Sequence, residues 1–78
     1  MTRDTTVNRN LRQIMRRKGI RQTELAKLCG LAYQNLHRAV NGRRPIYADE
    51  LPGLARALGE SVDALLGLEE EQRENPWA

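Results

Sequence analysis

Two side chains able to recognise base-pair edges, Gln34 and Arg38, lie four positions apart in the sequence. A helix turns by about 100° per residue, so this spacing places both on one face. The apolar residues of the same segment, 33–40, fall on the opposite face. A glutamine amide can pair with N6 and N7 of adenine, and a guanidinium can pair with O6 and N7 of guanine. The segment therefore has the chemistry of a base-reading helix.

Three more polar or aromatic side chains flank this pair. Tyr33 can pack on a thymine methyl group or reach a phosphate, or else lie partly buried over the preceding turn. His37 is either a further DNA contact or an exposed helix residue near the backbone. Asn35 lies at the edge of the exposed face, where we assign it a phosphate or supporting contact.

The segments that must position these side chains form a series of short helices. Apolar residues at positions 7, 11, 14 and 15 give the first helix one buried stripe. Glycines or Asn-Gly follow each helix, as expected where a chain leaves a helix through a left-handed conformation. Asp49 is the expected N-cap of the fourth helix and Ser61 that of the fifth. The predicted helices cover residues 7–18, 22–29, 33–40, 49–58 and 61–66, which makes the fold class all-α.

The composition limits the classes of function. A chain of 78 residues forms one domain. One cysteine, Cys29, is expected to be a small buried apolar residue, and with a single histidine there is no cluster of metal ligands. We expect no enzyme, cofactor or metal, because the chain has no second histidine, no catalytic cysteine-histidine constellation and no Gly-rich phosphate loop. No apolar run suits a signal peptide or membrane span, so we expect a cytoplasmic protein that associates with the nucleoid when bound.

Charge divides the chain at Pro45. Residues 1–44 contain eleven basic residues and two acidic ones, a net charge of +9. Residues 45–78 contain two basic residues and eight acidic ones, a net charge of −6. Such a field favours a polyanion at the first half and disfavours it at the second, although two ordinary solvated faces would give the same count. We expect a flexible arm at 1–6, a domain at 7–67 and an acidic, disordered tail at 68–78.

The order and spacing of several short motifs identify a family. The chain resembles the helix-turn-helix phage repressors, Cro proteins and their XRE-like bacterial relatives over about residues 7–67. The resemblance depends on GIRQ at 19–22, ELA at 24–26, GL at 30–31, NG at 41–42, LARALG at 54–59 and SVDALL at 61–66. It implies a compact five-helix, repressor-like fold with the helix-turn-helix formed by helices 2 and 3.

The resemblance also implies a function and a set of contacts. Helix 33–40 is expected to enter the major groove, with Tyr33, Gln34 and Arg38 reading bases. Phosphate contacts are expected from Gln22, Arg21, Asn41, Arg43 and Arg44. The expected function is a sequence-specific regulator of transcription that binds double-stranded DNA, a repressor acting as a homodimer on a palindromic operator. The dimer surface is expected in the loop 43–47 and the fifth helix, although Leu65 or Leu66 can instead belong to the core.

The chain departs from the family pattern in three places, one of which is Cys29, where relatives usually carry a larger aliphatic residue. Arg21 and Ala32 occupy positions where relatives carry an N-cap hydroxyl, and neither is a good cap, which costs about 1 kcal/mol at each helix start. Met15 and Val40 replace a partly buried Arg-Glu pair, and we predict that their side chains touch.

An alternative function remains open in the sequence. The chain could be an antitoxin-type module that neutralises a protein partner through its acidic tail while it regulates its own operon. Trp77 would anchor that contact, or the tail would be a solubilising end.

Overall fold

The computed structural model describes residues 5–68, which form five α-helices and no strand. In chain order these are α1 (Thr6–Lys18), α2 (Gln22–Cys29), α3 (Tyr33–Val40), a 3-10 turn (Ala48–Glu50), α4 (Leu51–Leu58) and α5 (Val62–Leu66). The predicted all-α fold is confirmed, and the bounds of α2 and α3 agree with the prediction. Ser61 caps α5 as predicted, since its hydroxyl accepts the N–H of Ala64 at 3.1 Å.

Helix α1 begins earlier than predicted because Thr5 caps it. The Thr5 hydroxyl accepts the Asn8 N–H at 3.2 Å, and the Asn8 side-chain oxygen accepts the Thr5 N–H at 3.1 Å. This reciprocal arrangement satisfies donors that the first turn of a helix cannot pair internally. Thr5 and Thr6, predicted as part of the N-terminal arm, therefore belong to the start of α1.

The predicted N-cap at Asp49 is wrong. Asp49 lies inside the 3-10 turn that precedes α4, and the turn is organised by the next residue. The Glu50 carboxylate accepts the N–H of Tyr47 at 2.9 Å, so the helical segment begins two residues earlier than a cap at Asp49 would place it. Pro52 lies in the first turn of α4, where its missing N–H has no intrahelical role.

One apolar core joins all five helices. α2 packs against α3 and α4, and α1 packs against α3 and α5. Four apolar residues of α4 are buried, and Leu65 of α5 is fully buried. The core consists of Leu11, Ile14, Met15, Leu25, Ala26, Leu36, Val40, Leu51, Leu54, Ala55, Leu58 and Leu65.

Polar side chains of α1 bind the carboxyl ends of three other helices. The last carbonyls of a helix lack intrahelical donors, and positive side chains near them also interact favourably with the helix dipole. In this fold α1 supplies those donors. The bonds run from Asn8 Nδ2 to Ala39 O (2.7 Å), Arg12 Nη1 to Val40 O (2.9 Å), Lys18 Nζ to Leu58 O (2.8 Å) and Asn10 Nδ2 to Leu65 O (2.8 Å).

No helix within residues 5–68 has both the length and the apolar character needed to cross a membrane. The same part of the chain contains no group of three or more His, Cys, Asp or Glu side chains that could hold a metal ion. The predicted tail from 69 onward, with Trp77, and the first four residues of the predicted arm lie outside the described residues.

Candidate nucleic-acid interface

Helix α3 has one buried face and one exposed face. Leu36, Ala39 and Val40 are buried against the other helices. The remaining side chains of α3 are exposed, and they are the five that the sequence placed on the base-reading face: Tyr33, Gln34, Asn35, His37 and Arg38. The fold therefore leaves a continuous strip of hydrogen-bonding groups along the whole length of this helix.

The turn before α3 fixes its direction relative to α2. Gly30 ends α2 with φ of 75°, a left-handed conformation that side chains rarely adopt. Its N–H and that of Leu31 both bond to the carbonyl of Ala26, at 3.0 and 3.2 Å. Arg21 and Ala32, at the starts of the two helices, make no side-chain capping bond, as predicted. The first N–H groups of α2 and α3 therefore lack a side-chain cap.

The chain leaves α3 through Asn41 and Gly42. Gly42 is buried and has φ of 72°, and the N–H of Arg43 returns to the carbonyl of Arg38 at 2.8 Å. This bond closes the helix end and directs the following loop back along the domain. The Arg43 side chain is exposed beside the end of the base-reading face.

A chain of side-chain hydrogen bonds links α2 to α3. Gln22 Oε1 lies 2.9 Å from Nδ1 of His37, and His37 Nε2 lies 3.2 Å from Nδ2 of Asn41. The ring of Tyr33 stacks on the His37 ring, with centroids 5.8 Å apart and planes inclined by 23°. The structure thus brings together Gln22 and Asn41, predicted as phosphate contacts, with two residues of the base-reading face.

Arg44 is engaged within the protein. Its guanidinium donates two hydrogen bonds to the carboxylate of Glu50, at 3.0 and 2.9 Å, and lies 5.0 Å from the centre of the Tyr47 ring. The hydrogen bond to Glu50 raises the pKa of Arg44. Burial acts to raise the pKa of Glu50, but the bonds from Arg44 and from the Tyr47 N–H outweigh it and lower that pKa. This pairing holds the loop after α3 and directs the Arg44 charge toward Glu50.

A basic groove of about 560 Å³ runs between α1, the start of α2 and the start of α3. Arg12 and Arg16 line it from α1, and Arg21 and Gln22 line it from the start of α2, close to Tyr33. Sequence reasoning selected Arg21 and Gln22 but missed the two α1 arginines as a site. The four-residue spacing of Arg12 and Arg16, which places them on one helix face, was the available signal.

Met15 and Val40, at the positions where the resemblance implies a charged pair, both line this groove. Both are buried, with 6% and 8% of their surface exposed, and both belong to the single core cluster. An apolar pair needs no desolvation of charge. Both belong to the same core cluster, and direct contact between their side chains stays a prediction.

The sequence and the fold were compared with known proteins. A family model of the Cro/C1-type HTH DNA-binding domain matches residues 10–71. The fold is similar to that of the clp gene regulator ClgR from C. glutamicum, with a TM-score of 0.75 and 25% identity, covering 97% of this chain and 96% of that chain. It is also similar to the hypothetical transcription factor NHTF from Neisseria, with a TM-score of 0.76 and 28% identity, covering 92% of this chain and 83% of that chain. No curated protein matches the chain.

Proposed function

We propose that this chain, which belongs to the Cro/C1-type helix-turn-helix DNA-binding family, is a cytoplasmic repressor that binds a palindromic operator as a dimer. The observation that carries the proposal is the exposed face of α3. Gln34 and Arg38 project from it while the opposite face is locked into the core. A helix so presented fits the major groove, whose base edges these two side chain types can distinguish.

The proposed phosphate contacts surround that helix. Arg16 and Arg21 line the groove beside the start of α3, and Arg43 lies just beyond its end. Within residues 5–68 these three arginines form no ion pair, so their charge is available to a phosphate. We assign Arg44 to holding the loop instead, because its guanidinium is already bonded to Glu50 at both nitrogens. Contacts on both sides of α3 would fix its register along the duplex.

The sequence-reading role is tested by selecting binding sites from random duplex DNA. Gln34→Ala and Arg38→Ala are expected to relax preference at individual base pairs, with a loss of about 1–3 kcal/mol of discrimination each. Arg43→Ala is the matched comparison, since it should weaken binding to selected and random duplexes alike. Equal losses on both duplexes for all three variants would show that α3 does not read bases.

The dimeric state is supported by exposed apolar surface beside the proposed interface. Tyr47 is 54% exposed in the loop after α3, and Leu68 is 37% exposed after α5. Two copies related by a two-fold axis would place their recognition helices about 34 Å apart, one turn of the duplex. Sedimentation with a palindromic duplex should give two chains per duplex, bound cooperatively. Tyr47→Glu should abolish the cooperativity, so that each half-site binds one chain independently. Unchanged cooperative binding by that variant would remove the loop from the dimer surface.

A further inference from the structure

The hydrogen bonds between Gln22, His37 and Asn41 have a defined polarity. Asn41 Nδ2 donates to the carbonyl oxygen of His37 at 2.8 Å. A carbonyl only accepts, so this bond turns the NH₂ group of Asn41 toward the His37 ring. His37 Nε2, which lies 3.2 Å from the same nitrogen, must therefore be an acceptor. A neutral imidazole that accepts at Nε2 carries its proton on Nδ1.

The proton on Nδ1 in turn orients Gln22. Nδ1 lies 2.9 Å from Gln22 Oε1 and donates to it, so the oxygen end of the amide faces the histidine. The NH₂ end is then the end not bonded to the ring, and Gln22 lines the basic groove at the start of α2. Phosphate oxygens are acceptors only, so a glutamine can bind them only through that NH₂ end. The opposite orientation of the Gln22 amide would direct its oxygen, an acceptor, at the phosphate oxygens, which are also acceptors.

Tyr33 fixes the ring that performs this orientation. Its own ring stacks on His37 at 5.8 Å with an angle of 23° between the planes. The two residues are four apart on α3, so their rings meet on one face of the helix. Stacking restricts rotation of the imidazole and keeps Nδ1 directed at α2.

We infer that His37 is a positioning residue, which holds the amide of Gln22 with its NH₂ end toward a phosphate of the DNA backbone. Asn41 belongs to the same device, since both of its amide hydrogens are directed at His37 and it presents only an oxygen outward. This inference rests on the proposed function. It replaces the direct DNA contacts predicted for His37 and for the Asn41 amide with a role that acts through Gln22.

A double-mutant cycle on DNA affinity tests this role. Gln22→Ala and His37→Ala are each expected to weaken binding of the selected duplex by about fivefold, which corresponds to the net value of one typical hydrogen bond. The double variant should also lose only about fivefold, because His37 acts through Gln22. A loss near the product of the two, about 25-fold, would mean that His37 contacts DNA independently and would overturn the inference.

Conservative replacements separate the two ring nitrogens. His37→Asn places an amide donor near the position of Nδ1, whereas His37→Gln places one near the position of Nε2. We expect His37→Asn to recover most of the affinity that His37→Ala loses, and His37→Gln to recover less. Recovery by His37→Gln alone would overturn the inference. Thermal unfolding of each variant, with Gln13→Ala on the exposed side of α1 as control, separates loss of affinity from loss of folding.

A spectroscopic measurement on the protein without DNA tests the inference separately from the proposed function. Nitrogen-15 spectra at about pH 8.5, where an ordinary imidazole is neutral, report which ring nitrogen carries the proton. The wild type should show His37 protonated on Nδ1, and Asn41→Ala, which removes the donor to Nε2, should shift it toward protonation on Nε2. Protonation of the wild type mainly on Nε2 would overturn the inference. Absence of any preferred duplex in the selection would instead overturn the proposed function and leave the tautomer result standing.

Discussion

Asn8 is a fully buried polar residue whose side chain has every hydrogen-bonding group satisfied. Its oxygen accepts the N–H and the hydroxyl of Thr5, at 3.1 and 2.7 Å, and its nitrogen donates to the carbonyls of Ala39 and Arg44, at 2.7 and 3.1 Å. No local sequence pattern indicates this role, because the two carbonyls lie 31 and 36 residues away along the chain. Asn8 thereby links the start of α1 to the end of α3.

Replacement of Asn8 by alanine should therefore destabilise the fold. The change leaves two buried carbonyls without their donor and opens a small cavity, with an expected loss of about 2–4 kcal/mol in the free energy of unfolding. Urea denaturation followed by circular dichroism measures it. Gln13→Ala, on the exposed face of the same helix, is the control and should change stability by less than about 0.5 kcal/mol. Similar losses for both would show that Asn8 has no special role.

Glu50 gives a prediction about pH. Its pKa is lowered in the folded protein, so its carboxylate stabilises the fold above the ordinary glutamate pKa, and this stabilisation is lost as pH falls through the lowered value. Glu50→Gln should lower the free energy of unfolding by about 1 kcal/mol at neutral pH, and the difference from wild type should shrink in acid. Denaturation over a pH series measures it. Asp49→Asn, in the same turn but exposed, is the control and should change the free energy of unfolding much less. A loss in Glu50→Gln that does not depend on pH would contradict the ion pair.

The last carbonyls of three helices accept hydrogen bonds from side chains, whereas the first N–H groups of α2 and α3 have no side-chain acceptor. Side chains of α1 donate to the last carbonyls of α3, α4 and α5. Arg21 and Ala32 give no side-chain acceptor to the first N–H groups of α2 and α3. Both helix starts border the proposed DNA surface, where phosphate oxygens could accept these hydrogen bonds.

A new cap at the start of α3 should stabilise the free protein. Ala32 already has the extended conformation of an N-cap, with φ of −62° and ψ of 138°, so Ala32→Ser needs no backbone change. We expect a gain of about 0.5–1 kcal/mol in the free energy of unfolding, measured by thermal denaturation. Ser61→Ala, which removes an existing cap from α5, should lose about the same amount. A loss of stability in Ala32→Ser would show that this helix start is already satisfied.

The helices were predictable and their polar connections were not. Apolar spacing and terminal glycines are local signals, and they located α2, α3 and α5 as observed. The 3-10 turn before α4 was missed because it depends on Glu50, whose carboxylate is fixed by Arg44 from an earlier loop. The resemblance likewise located the exposed face of α3, whereas the Gln22 to His37 bond spans 15 residues and required the fold.

Over the whole molecule, ion pairs divide the basic residues into two groups. Arg17 and Lys18 lie 3.0 and 3.3 Å from Glu60, and Arg44 lies 2.9 Å from Glu50. Acidic residues from the segment after Pro45 therefore neutralise these three basic residues from the segment before it. Hydrogen bonds from Lys18 and Arg17, with their charges, lower the pKa of Glu60 against the opposing effect of burial. Arg16, Arg21 and Arg43 keep their charge for an external anion, which concentrates positive potential around α3.

This distribution predicts how affinity for DNA depends on salt. Each phosphate contact adds about 0.9 to the slope of log affinity against log salt concentration. Arg16→Ala and Arg21→Ala should each reduce the slope by about 1 and weaken binding to all duplexes. Arg56→Ala removes an equal charge from the exposed surface of α4 and should leave the slope unchanged. Titrations at several salt concentrations measure this, and an equal change for Arg56→Ala would mean that only net charge matters.

The bonds from α1 to the ends of the other helices also set an order of events during synthesis. Asn10 of α1 can donate its hydrogen bond only after Leu65, 55 residues later, has been added. Lys18 likewise needs the carbonyl of Leu58, 40 residues later. A ribosome adds about 5–20 residues each second, so α1 leaves the exit tunnel seconds before these partners leave it. Helix α3 emerges between them and lacks its full set of contacts until then. A nascent chain cut before Leu65 should therefore be open to proteases, and acquisition of resistance should coincide with release of α5.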